Sequence, residues 1–201
     1  MVLVSLTFDD GFAEQLRIAR YLARRGIRAT FFVITGLREY MGHELMGPAQ
    51  WRELVELGHE VGSHTVTHID MAKSSEDVIM RELIESKRRI EDAVGHEVIS
   101  FAYPYGPHSE TAAKLAKSVY RIARATYVGP ASGYQLFDEH GCVMAFNLRL
   151  SNIYEVLRLR KFNSVVLFTH IPSLRKLEFI LRALSILKPR YMTLKELMDI
   201  L

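Results

Sequence analysis

The chain's 201 residues, 49% hydrophobic and 24% charged, match a soluble globular protein long enough to bury a core without covalent staples. A net charge of +3, with its densest basic points (Arg24-Arg25, Lys87-Arg88-Arg89) set beside acidic residues on helical faces, argues against a nucleic-acid partner. The single cysteine, Cys142, excludes an intrachain disulfide, and no window approaches the roughly 18 apolar residues of a membrane span.

The first segment, Val2–Phe8, is apolar and reads as a buried strand; without a basic or long apolar leader region it is no signal peptide, so a cytoplasmic location is expected. Phe12, Leu16, Ala19 and Leu22/Ala23 recur at helical spacing up to Gly26. Ala29–Ile34 is a second strand. Pro48 opens a helix with Trp51, Leu54 and Val55 inward, closed by Gly58. Glu60–Ser63 is a third strand. Ser74 or Ser75 caps a long helix with Ile79, Leu83, Ile90 and Ala93/Val94 on its apolar face, ending at Gly95.

Val98–Ala102 is the fourth strand, and Ser109 begins another helix. Arg121–Ala125, Val143–Phe146 and Ser164–Thr169 are further strands, with helices over roughly 151–162 and 174–187. A short strand, Tyr191-Met192, and a terminal helix follow. The Gly-rich, aperiodic stretch Tyr127–Gly141 is expected to be a surface loop bordering the cleft. Side-chain amides are scarce, which hints at a thermophilic source.

Alternating strands and helices imply parallel strands with helical crossovers, an α/β fold. Seven or so units suit a small or incomplete (β/α) barrel, with a doubly wound open sheet as the alternative. No repeat or linker divides the chain, so residues 1–201 read as one domain.

The polar residues fall at strand ends. Asp9-Asp10 follow the first strand, His64 the third, Tyr105 the fourth and His170 the last long apolar one. In parallel β/α folds these carboxyl ends share one edge, where active sites form. Adjacent carboxylates repel, so a buried pair needs a cation or a shared proton. His64 and His68, at i and i+4, lie on one face if they share a helical turn and can then grip one ion. Two histidines and one aspartate leave coordination positions open, the catalytic pattern. Taken singly, Asp-Asp-Gly is also turn material, His64–His68 a helix start, Phe101–Gly106 a packing cluster, and His170 a satisfied histidine. His43, His59, His96, His108 and His140 lack comparable placement and read as structural or exposed.

Together these segments resemble the polysaccharide deacetylase family (NodB-type domains, carbohydrate esterase family 4). The T-F-D-D-G hallmark is Thr7–Gly11, A-T-F-F-V is Ala29–Val33, and G-H-E-x-x-x-H-[ST]-x-x-H is Gly58–His68. P-Y-G is Pro104–Gly106, and the closing L-x-x-H is Leu167–His170. The resemblance implies a distorted, incomplete (β/α) barrel and a divalent metal, most often zinc, with cobalt, nickel or iron(II) as alternatives. By position it makes Asp10, His64 and His68 the metal ligands, Asp9 the general base, His170 the general acid, and the Tyr105 backbone N–H an oxyanion donor. It further implies water attack at the metal on an N-acetyl (acyl) group of an N-acylated sugar or related compound, the substrate being a small molecule or an oligosaccharide.

The sequence departs from the family pattern at two places. The arginine of R-x-P-Y, which pairs with the base aspartate, is Ala102 here; Arg124 and Arg149 are candidate substitutes. The fourth motif, with its Asp and Trp, is not found, and the only tryptophan, Trp51, lies elsewhere, so the sequence names no orienting partner for His170. Two other readings remain open: hydrolysis of a cyclic imide or O-acetyl ester on the same scaffold, and a non-catalytic sugar- or metal-binding module.

Overall fold

A computed structural model of the chain describes residues 1–149, 153–170 and 173–201. In order it contains β1 (Val2–Phe8), α1 (Gln15–Ala23), β2 (Thr30–Val33), a short hairpin of β3 (Glu39–Tyr40) and β4 (His43–Glu44), α2 (Pro48–Glu56), β5 (Glu60–Ser63) and α3 (Glu76–Val94). Then follow β6 (Ser100–Ala102), α4 (Glu110–Val119), β7 (Ile122–Tyr127), β8 (Val143–Asn147), α5 (Ile153–Arg158), β9 (Ser164–Thr169), α6 (Leu174–Leu184), β10 (Pro189–Met192) and α7 (Leu194–Ile200). The expected start of the fifth long helix near 151, and Pro172 after His170, lie outside the described residues.

The strands form the expected barrel. β1, β2, β5, β6, β7, β8 and β9 run parallel in that order, and β9 pairs back onto β1 from Leu3↔Ser164 to Phe8↔Thr169, which closes the ring and rules out the open sheet. The distortion sits between β1 and β2. These strands pair only at Thr7↔Thr30 and Phe8↔Phe31, while β10 takes the lower half of the same β1 edge, from Val2↔Pro189 to Ser5↔Met192.

The period-two alternation of each strand separates two layers. Inward-facing Phe32, Ala102, Ile122, Val143, Ala145, Val166, Phe168 and Met192 fill the barrel, closed at its amino end by Leu194 and Leu197 of α7. Outward-facing Val4, Leu6, Phe31, Val33, Phe101 and Leu167 join helix residues such as Leu16, Leu83, Ile90, Ala116 and Ile180 in the larger core. Truncating one fully buried member, Leu83→Ala, would cost about 2–5 kcal/mol through lost transfer energy and the cavity left behind.

Local signals set the helix ends. Gly95 takes φ 76° and stops α3, while Ser75 occupies its N-cap position without a side-chain cap bond; Glu76 and Asp77 face the positive end of the helix dipole instead. Ser109 caps α4 by accepting from the Ala112 N–H. The stretch Tyr127–Gly141 lies mostly at the surface, as expected, anchored by buried Ala131 and Tyr134, and the Tyr134 hydroxyl donates to the Met144 carbonyl and accepts from the Val166 N–H. None of the cleft-lining residues comes from positions 127–141, which corrects the expectation that this loop borders the cleft. Among the described residues no helix is long and apolar enough to cross a membrane.

Candidate active site

All strands of the ring deliver their carboxyl ends to one rim, and a cleft of about 430 Å³ opens there, lined by Asp9, Asp10, His64, His68, Tyr105 and His170 among others. Asp9 continues the inward parity of β1, and its N–H donates to the Thr169 carbonyl. Asp10 then turns left-handed at φ 73°, followed by Gly11 at φ 74°. A Cβ on Gly11 would come within 2.9–3.0 Å of Val33, so only glycine lets β1 turn this close to β2. Gln15 of α1 ties the rim together, its amide donating to the carbonyls of both Asp9 and His170.

His64 and His68 do not share a helical turn, contrary to the sequence expectation. They sit on a bent loop after β5, where Thr65 (φ 67°) and His68 (φ 59°) are left-handed. Glu82 of α3 holds the loop by accepting from the N–H groups of Val66 and Thr67 and from the Thr67 hydroxyl. The loop still brings the two rings together, with centroids 4.9 Å apart.

Both Nε2 atoms face the same oxygen of Asp10, at 3.5 Å from His64 and 3.4 Å from His68. The Ala102 carbonyl, 2.8 Å from His64 Nδ1, fixes that ring with Nε2 aimed at the cluster. Bonds of about 2.0 Å would place neighbouring ligand atoms of a tetrahedral zinc ion about 3.3 Å apart, so the three side chains fit a divalent metal. Burial pushes the Asp10 carboxyl up, but hydrogen bonds from His64 and His68 and the charge of His64 and His170 hold it well below the usual carboxylate range. Burial lowers His68 below its ordinary value despite Asp10 beside it, favouring the neutral ring that a metal requires.

Asp9 is held apart from this cluster by Arg124, whose Nη2 donates to Asp9 Oδ1; the arginine side chain is fully buried. The guanidinium packs between the rings of Phe32 and Phe168, 5.0 and 5.3 Å from their centroids. Its placement follows from register: β6 pairs with β7 at Ala102↔Arg124, and both positions face inward. The cation missing at position 102 is thus supplied from the adjacent strand at the same height. Arg149, the other candidate, lines the cleft.

Tyr105, at φ 63°, is mostly exposed, and its ring lies 4.7 Å from that of His68. Its N–H makes no hydrogen bond with any described residue. The turn depends on Gly106 (φ 91°), where a Cβ would meet Thr126 at 2.5 Å. His170 is half exposed, with Nε2 3.9 Å from Asp10 Oδ2. Trp51 is buried away from the cleft.

Tyr40 and Met41 of the β3–β4 hairpin also line the cleft, Tyr40 with its ring 4.6 Å from His68. Sequence reasoning missed them, although the signal was there: Met41 (φ 51°) and Gly42 (φ 79°) form a two-residue turn with both central residues left-handed, the hairpin type that favours glycine.

The chain resembles known proteins in both sequence and fold. The sequence model of the family described as polysaccharide deacetylase matches residues 2–120, a span holding Asp9, Asp10, His64, His68 and Tyr105 but neither Arg124 nor His170. The chain is 35% identical over 124 residues to a gellan lyase of a Bacillus species, covering 61% of this chain and 5% of that protein. It is 34% identical over 112 residues to a chitooligosaccharide deacetylase of Sinorhizobium fredii, covering 53% of this chain and 48% of that protein. The chain therefore spans less than half the length of either relative. In fold it resembles the Xyl-CE4 domain of a multidomain xylanase from the hindgut metagenome of Trinervitermes trinervoides, with a TM-score of 0.70 at 22% identity over 98% of this chain and 90% of that one. The chain belongs to the polysaccharide deacetylase family of hydrolases.

Proposed function

We propose that residues 1–201 act as one NodB-type catalytic domain, a metal-dependent hydrolase that removes an N-acetyl or similar acyl group from an N-acylated sugar or related compound. The observation that carries this reading is the division of labour at the rim. Asp10, His64 and His68 converge on one point, while Asp9, one residue away, is tied to a buried arginine instead. A binding module has no need of a second carboxylate held back from the ligands.

Asp10, His64 and His68 would hold the ion. A divalent cation, most simply zinc, supplies Lewis acidity there, polarising the acyl carbonyl and acidifying an attacking water. Asp9 takes the water's proton as general base; Arg124 engages Oδ1 and leaves Oδ2 to accept it. The Tyr105 N–H donates to the oxygen that gains charge, a contact worth roughly 3–4 kcal/mol when deleted in comparable sites. His170, at the end of β9 next to β1, hands a proton to the departing amine, an imidazole being suited to that task near neutral pH. The exposed ring of Tyr105 and the partly buried ring of Tyr40 border the cleft and offer apolar faces to a sugar.

The test combines metal content with acetate release. Purified protein is incubated with N-acetylglucosamine oligomers, with and without chelator and with added zinc or cobalt. Acetate that vanishes with chelator and returns with metal is the expected result. Turnover of O-acetyl esters or cyclic imides without amide turnover would move the assignment to those substrates. Failure to bind metal after reconstitution would overturn the ligand assignment.

A further inference from the structure

A second set of metal-ligating side chains lies behind the cleft wall. His108, just before α4, meets Asp138 and Cys142 from the turn that leads into β8, and a ligand atom from each lies within 4.8 Å of the other two. None of the three lines the cleft. Tyr103 stands between the two places: its ring lines the cleft and stacks on His108 at 4.5 Å, and its hydroxyl contacts Cys142 Sγ at 3.6 Å.

The turn is organised around one carboxylate. Asp138 Oδ1 accepts from the N–H groups of His140 and Cys142, which leaves Oδ2 pointing at His108. His108 Nε2 is 3.0 Å from that oxygen but makes no hydrogen bond with any described residue, although its side chain is only 8% exposed. An imidazole nitrogen buried against a carboxylate oxygen, close yet not aligned to share a proton, is poorly satisfied by these partners alone. A cation between them would satisfy both.

We propose that His108 Nε2, Asp138 Oδ2 and Cys142 Sγ form a structural site for a zinc-like divalent cation, distinct from the candidate active site. Imidazole, carboxylate and thiolate are all zinc ligands, and the thiolate selects against magnesium and calcium. The Cys142 thiol gives up its proton to solvent on binding, after which one carboxylate and one thiolate balance the dication. Backbone bonds to Asp138 Oδ1 already hold the carboxylate in orientation, as outer-shell partners do in metal sites. The bound ion would pin the 138–142 turn to the segment entering α4 and so brace Tyr103 from behind.

The chain's single cysteine makes the test specific. The full chain, stripped with chelator, is titrated with cobalt(II) while the near-ultraviolet thiolate-to-cobalt charge-transfer band is followed. Only Cys142 can give that band, so it reports this site whatever happens at Asp10, His64 and His68. The expected result is two equivalents of cobalt bound, one accompanied by the band. Cys142→Ser should remove the band and one equivalent while keeping the other. Even outer-shell partners are worth roughly 10–100-fold in metal affinity, so His108→Gln should shift the band's midpoint at least ~10-fold. Saturation with cobalt without a charge-transfer band would overturn the proposal, as would a band unmoved in His108→Gln.

Discussion

The two ends of the barrel bury carboxyl groups in opposite ways. At the carboxyl-end rim, Asp9 meets a guanidinium and Asp10 meets two imidazoles, and Asp10 is held ionised. At the amino end, Glu60 accepts from the Thr30 and Ser100 hydroxyls and from the Lys195 N–H, and burial pushes its carboxyl up. The residue chemistry is nearly the same; what faces each group decides the sign. At the rim, hydrogen bonds and charge from the surrounding imidazoles keep Asp10 ionised. Neutral donors at the floor stitch β2, β5, β6 and α7 together without demanding a charge.

The largest effect should come from the rim's own division of roles. Asp9→Asn preserves shape and hydrogen bonding to Arg124 but removes the base, so turnover should fall about 10²–10⁴-fold while bound metal, measured in the same preparation, stays stoichiometric. Unchanged turnover would remove Asp9 from the proposed mechanism. Asp10→Asn should do the reverse, lowering metal content first.

Arg124→Met isolates the buried Asp9 carboxylate, and breaking a buried pair from one side typically costs about 3–5 kcal/mol, measurable by denaturant unfolding. The register suggests a rescue. Because Ala102 is the cross-strand partner and faces the same interior, Ala102→Arg combined with Arg124→Ala should return the cation to Asp9 and recover part of that loss. A double variant no more stable than Arg124→Ala would show that the two positions are not equivalent.

That pair also marks where sequence reading stops. Strand and helix identities were legible because their signals are local: apolar runs, Pro48, Ser109 and Gly95 each act within a few residues. The metal-ligand candidates were legible because strand ends converge in any parallel fold, and the motif resemblance named the same residues. Closure was not, since the pairing of β1 with β9 joins opposite ends of the chain and an open sheet has the same alternation. Arg124 could be named only as one of two candidates, because the β6–β7 register depends on the intervening helix. The spacing of His64 and His68 gave their proximity but the wrong cause: two left-handed residues, invisible to periodicity, do what a helical turn was expected to do. The β3–β4 hairpin, with two residues per strand, is too short to show an alternation.

A smaller effect should follow at Gln15, whose amide joins the end of β1 to the end of β9 through the carbonyls of Asp9 and His170. Gln15→Leu keeps the volume and strips both bonds, which should cost about 1–3 kcal/mol. If the clamp also positions His170 relative to Asp10, kcat should fall while metal content is unchanged. Loss of stability alone would confine Gln15 to the scaffold.

The smallest change is expected at the floor, and its sign with pH sets it against the rim. A carboxyl with a raised folded pKa contributes stability that is fully present below its ordinary value of 4.5 and is lost as pH rises through the folded value. Glu60→Gln removes that loss: its carbonyl can keep accepting from Thr30 and Lys195, and its amide can donate to the Ser100 hydroxyl. Near neutral pH the variant should therefore unfold within about 1 kcal/mol of the parent, with any difference favouring the variant, and the parent should regain ground as pH falls toward 4.5. Asp10 in the metal-free protein works the other way, its contribution present above 3.8 and lost as pH falls. Unfolding curves of parent and Glu60→Gln across this range, in chelator, separate the two. A variant strongly destabilised at neutral pH would mean that Glu60 is ionised in the folded chain and that the floor, like the rim, is built around a charge.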